Sequence, residues 1–240
     1  MAHIKVERRS MRPEEWTDLR FGWLKRHIYN EKWEIENLLI RDARQVKEME
    51  FEYYSEDYRP LKKGDMYFTP DGTAFIKADV NIPEDLKGKE LWFSLKTAAE
   101  ICVKVNGKYI GGVDHNRERM LLSPYVDVNS TLHFDMMGYN RSKPDDERNP
   151  ESLSVRGCRQ IFEGAYICTI NEDVQSLVYD LELLLDIAKS ELFNEDYRAF
   201  LNRELNNAMN CIDFDSEELT GVNEAKKYIE DVIFSNDTYK

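Results

Sequence analysis

The chain has 240 residues, 42% of them hydrophobic and 33% charged, enough for one large or two small hydrophobic cores. With a mean hydropathy of −0.63 and no run of about 18 uncharged apolar residues, it has no transmembrane helix, and the charged opening MAHIKVERRSMRPEEW lacks the apolar core of a secretory signal, so a soluble cytoplasmic chain is expected. The net charge of −13 is uneven: residues 171–240 hold 6 Lys/Arg against 17 Asp/Glu and residues 1–170 hold 27 against 29, which leaves no dense basic stripe and disfavours nucleic acid and anionic membranes as partners.

Residues 1–60 read as a mixed segment. Pro13-Glu14-Glu15 suits the first turn of a helix, Trp16, Leu19, Trp23 and Ile28 fit an apolar stripe, and the aromatics Phe51, Tyr53, Tyr54 and Tyr58 follow. Residues 61–170 turn to period two, in the runs 74–80, 91–95, 101–105, 132–136 and 165–170, each bounded by turn residues. Asn106-Gly107 between two such runs is the strongest short hairpin signal, because a type I′ turn needs positive φ at both central residues. With no helices between the strands, the predicted fold is an antiparallel, jelly-roll-like β-sandwich. The polar stretch from Asn140 to Arg159 reads as a long surface loop between the last two strands.

Residues 171–240 change to period 3.6. Asn171 and Asn194 are placed to cap two helices, with stripes running Val174, Leu177, Val178, Leu181 and Phe200, Leu201, Leu205, Ala208; a third helix is expected from about Thr220. Short polar links predict antiparallel helical hairpins, and the acidic outer faces read as solvated surface. The overall expectation is a β-sandwich followed by a C-terminal helical segment.

The chemistry-bearing residues are sparse. Cysteines stand at 102, 158, 168 and 211 with no C-x-x-C pair, and His3, His27, His115 and His133 form no metal-binding motif, so free or buried thiols and no metal site are expected. Motifs for acyl transfer, nucleotide phosphoryl transfer and dinucleotide redox are absent. Asp145 and Asp146 could serve glycoside chemistry only if held rigidly across a sugar, which a flexible loop does not do. Trp92 reads as a core residue. The richest patch follows the hairpin: the chain is expected to leave the sheet at Gly111-Gly112, and Asp114, His115, Asn116, Arg117 and Glu118 then gather donors and acceptors suited to sugar hydroxyls or to a neighbouring domain.

Several stretches carry a resemblance. Phe68 to Pro83, Gly88 to Trp92, Glu100 to Lys108 and Gly112 to Glu118, followed by the helical Val174 to Ala188 and preceded by Tyr29 to Glu34, resemble in composition and order the N-terminal region of family 38 glycoside hydrolases, the α-mannosidases of the cytosolic and bacterial type. The resemblance implies a non-catalytic accessory region that packs against the catalytic domain of the same polypeptide or against a second copy of the chain; the alternative is a carbohydrate-binding module. Catalytic zinc and the nucleophilic aspartate belong, by the same resemblance, to a barrel domain expected beyond Lys240, so no catalytic residue, cofactor or activity is expected of this chain alone. An exposed Trp92 or Tyr109 in a groove would favour the binding-module reading.

Overall fold

A computed structural model describes residues 12–68, 72–123, 125–127, 129–140, 160–216 and 219–236. They divide into two compact units, one of residues 31–169 and one in which the segment before residue 31 joins the segment from Ile170 onward. The boundary expected at 170 falls between Thr169 and Ile170, whereas the one expected at 60 falls between Asn30 and Glu31: four strands precede residue 61, and the N-terminal helix belongs with the C-terminal helices. A helix with one apolar stripe must bury it somewhere, and here the complementary stripes lie about 150 residues away in sequence.

The first unit is an antiparallel β-sandwich. One sheet has the order β1 (Tyr29–Glu34), β13 (Ala165–Ile170), β7 (Trp92–Leu95), β10 (Arg119–Leu121). The other runs β3 (Glu50–Tyr53), β2 (Leu39–Lys47), β6 (Gly72–Val80), β11 (Leu132–Asn140), β8 (Glu100–Val105), β9 (Lys108–Val113), with β4 (Arg59–Pro60) also on β2. A small ribbon pairs β5 (Met66–Tyr67) with β12 (Gln160–Ile161). Strands β6 and β11 pair without a break from Leu132 opposite Val80 to Asn140 opposite Gly72. Alternation then sends Ile76, Ala78, Val80, Leu132, Phe134 and Met136 inward, all buried, at roughly 1.5–3 kcal/mol for each large side chain. The Phe93 and Phe134 rings, one from each sheet, meet at 5.3 Å between centroids.

The predicted hairpin is present. Asn106 and Gly107 take φ of +50° and +77°, and the Asn106 side chain accepts the His133 backbone N–H at 2.8 Å. Past the turn the chain stays in the sheet through Val113 rather than leaving it at Gly111-Gly112. Trp92, expected in the core, is half-buried and its indole N–H donates to Glu90 at 2.9 Å; its neighbour Phe93 takes the inward position.

The second unit holds α1 (Pro13–Arg26), α2 (Glu172–Lys189), α3 (Glu195–Asn210) and α4 (Val222–Tyr228), the last continuing into a π-helical turn over Ile229–Phe234. Asn171 and Asn194 cap α2 and α3 by accepting the Val174 and Tyr197 backbone N–H groups. The stripes of α2 and α3 bury against Leu24 and Ile28. Arg20 of α1, itself buried, donates to the side-chain oxygens of Asn206 at 2.6 Å and Asn210 at 2.8 Å. The segment 141–159, with Asp145, Asp146 and Cys158, and also His3, lie outside the described residues. Cys102, Cys168 and Cys211 are free thiols.

Candidate functional site

Outward positions on β8, β9 and β11 enclose an open depression of about 730 Å³ on the larger sheet. Alternation that sends Ile101 and Val103 inward leaves Glu100, Cys102 and Lys104 outside, and on β11 it leaves Met137 and Tyr139 outside. A bulge shapes the near edge: Lys104 pairs with Tyr109 but Val103 pairs with Gly111, so Ile110 is an extra residue that packs on the core. Bulges re-aim side chains, and here Tyr109 stands 58% exposed, with Tyr139 across the depression 37% exposed. The Lys104 ammonium lies 4.3 Å from the Tyr109 ring centroid, and its hydrogen bond with Tyr109 raises its pKa.

The floor between them is bare backbone. A Cβ on Gly112 would lie 2.8 Å from the Ile101 carbonyl oxygen and one on Gly111 would lie 2.9 Å from the Met120 methyl carbon, so glycine permits the strand to pass close to its neighbours here, and both glycines are exposed.

Of the five candidate residues, the structure brings Asp114 and Arg117 to the rim of this depression. Asp114 closes its own turn: one carboxylate oxygen accepts the Asn116 and Arg117 backbone N–H groups at 2.8 and 3.0 Å, and the other accepts Arg117 Nη2 at 3.0 Å. Burial works to raise the Asp114 pKa, but these hydrogen bonds, backbone Asn116 first and then Arg117, hold it below the ordinary value. Asp114 therefore fixes the loop and aims the exposed Arg117. His115, Asn116 and Glu118 stand outside the lining; the Glu118 carbonyl instead accepts the Leu95 N–H at 2.8 Å. Glu100, Met137 and Tyr139 were not among the candidates, although carrying the alternation from Leu132 beyond Met136 would have placed Met137 and Tyr139 on the outer face. Among the described residues no three His, Cys, Asp or Glu side chains are grouped as metal ligands, and no helix is long and apolar enough to cross a membrane.

No protein-family model and no curated protein matches the sequence. Solved structures similar to it include a calcium-binding mutant of Bacteroides uniformis beta-glucuronidase 2, at a TM-score of 0.38 and 11% identity over 57% of this chain and 18% of that one. The beta-glucuronidase of Ruminococcus gnavus matches at 0.37 and 11% over 60% of this chain and 30% of its own. A putative beta-galactosidase from Bacteroides fragilis matches at 0.36 and 12%, over 57% and 23%. The chain thus spans less than a third of the length of each of these proteins.

Proposed function

We propose that this chain is a non-catalytic accessory region of a cytoplasmic α-mannosidase and that its sandwich lays a sugar ring on Tyr109. The observation that carries the binding role is the exposed Tyr109 ring, which lines one depression together with the Gly111 and Gly112 backbone. An aromatic face accepts the apolar face of a pyranose, while the Arg117 guanidinium and the Glu100 carboxylate supply donors and acceptors for its hydroxyls. Mannose as the sugar rests on the sequence resemblance, as does a zinc-bearing catalytic domain as partner. A site this open excludes little water and holds a monosaccharide on the order of millimolar.

The test is an NMR titration of the nitrogen-labelled chain with mannose and an α-linked mannobiose. Saturable shifts of the Gly111 and Gly112 amides, abolished by Tyr109→Ala, are expected. No shift, or shifts that survive Tyr109→Ala, would remove the sugar site and leave the depression as a packing surface.

A further inference from the structure

The same outer sheet face carries a second concavity, at its opposite edge. It measures about 470 Å³ and is lined by Arg41, Tyr53, Tyr54, Ser55 and Glu56. Strand β2 places Ile40 in the core, fully buried, and so turns Arg41 outward, opposite Phe75. There the guanidinium lies against two phenol rings, 3.6 Å from the Tyr53 centroid and 4.8 Å from that of Tyr58. Phe75 supports the arrangement from beneath, 5.5 Å from Tyr53 and 5.0 Å from Phe51.

The electrostatic state of Arg41 sets it apart from its neighbours. Arg44 is paired with Glu52 and Arg59 with Asp42, each at 3.0 Å. Arg41 has no ion pair among the described residues. Among the described residues, an Nη1–H donates to the Glu56 backbone carbonyl at 3.3 Å, and Nε is buried with no hydrogen-bond partner. A second cation adds to the field, since the Lys77 ammonium lies 4.9 Å from the Tyr58 centroid. Glu56 is the one acidic residue in the lining and acts against an anion there. A guanidinium held against two aromatic rings has little rotamer freedom still to lose, and its planar Nη1 and Nη2 edge matches a carboxylate in two hydrogen bonds.

We propose that Arg41 is the centre of a binding site for a carboxylate carried on a flat apolar body, the carboxylate held by the guanidinium fork and the body lying against Tyr53 and Tyr54. The assignment stands independently of the sugar reading, because it uses none of the residues around Tyr109.

The probe is benzoate, with benzamide as the uncharged isostere and acetate as the carboxylate without a ring. In the nitrogen-labelled chain, benzoate is expected to shift the Arg41 side-chain resonances saturably, with benzamide and acetate each about tenfold weaker, equal to about 1.4 kcal/mol. Arg41→Lys, which keeps the charge and loses the fork, is expected to weaken benzoate about tenfold, and Glu56→Gln to tighten it about threefold. Equal responses to benzoate and benzamide, no saturable response to benzoate, or unchanged affinity in both variants would overturn the site. Should Arg41→Lys fail to fold, the Glu56→Gln variant and the benzoate–benzamide comparison decide the matter alone.

Discussion

A Cβ on Gly138 would overlap the Phe68 ring and stand 2.9 Å from Ile101 Cγ1. Phe68 itself holds a left-handed backbone, φ +54°, a conformation bulky side chains seldom take, and its ring is buried against Tyr67 at 4.9 Å. Missing volume on β11 and the unusual backbone of Phe68 are thus two halves of one fit.

Gly138→Ala is expected to destabilise the sandwich by about 1–3 kcal/mol, the usual cost of overpacking a close-packed core. Chemical denaturation of the variant checks this, and a loss below a few tenths would show that the Phe68 ring is free to give way.

Asp114 should make the sandwich acid-sensitive. Its pKa lies lower in the fold than its ordinary 3.8, so its contribution is complete above that value and is lost as pH falls through the folded one. Asp114→Asn is expected to cost about 0.5–1.5 kcal/mol near neutrality, with the gap to the parent closing in acid. Melting temperatures of both proteins between pH 7 and about pH 2.5 measure it; a gap that stays constant would show that the carboxylate charge contributes nothing.

The helical unit has a comparable centre in Glu204. Its largely buried carboxylate accepts Tyr228 Oη at 2.6 Å, Arg203 Nε at 2.6 Å and Asn207 Nδ2 at 3.0 Å. Burial works to raise its pKa, yet the three donors, Tyr228 foremost, hold it below the ordinary value, while the same bond raises the pKa of Tyr228. A double-mutant cycle of Glu204→Gln and Tyr228→Phe is expected to give a coupling of about 1–2 kcal/mol. Additive losses would mean that Arg203 and Asn207 satisfy the carboxylate without the phenol.

Thiol reactivity should separate the cysteines. Burial pushes the Cys168 thiol up to about 11, leaving almost no thiolate at neutral pH, whereas Cys102 lies half-exposed in the depression beside Tyr109. Timed alkylation followed by peptide mass mapping is expected to find Cys102 modified well before Cys168. The reverse order would indicate opening of the β7–β13 pair.

What could be read in advance was local. Asn106-Gly107 carries its own turn, and Asn171 and Asn194 carry their own caps, because each acts on backbone within three residues. Strand β2 was not legible: its sequence LIRDARQVK buries Ile40 and Ala43, three apart, a spacing that departs from the alternation of a strand and is one an amphipathic helix uses. Arg41 carries no local signal in the sequence, since Tyr53 and Tyr58 lie against it only after β3 and β4 have paired with β2. The turn at Asp114 to Arg117 was foreseen as a cluster, but the residues that give the depression its walls, Glu100 and Tyr139, come from strands whose adjacency no short window contains.

The backbone N–H of Asn171 donates to the carbonyl of Ile28 at 2.8 Å, so the chain departs from the helical unit and comes back to it almost at one point. During synthesis this orders events. The sandwich has all its strands once residue 170 has been made, while α1, which is translated before the sandwich strands β2 to β13, has no partner for its stripe until α2 and α3 follow. At about 5–20 residues per second that interval lasts several seconds or more. Through it the nascent chain exposes Leu24 and Ile28, and a ribosome-bound chaperone that covers short apolar helices would find its substrate there rather than in the sandwich.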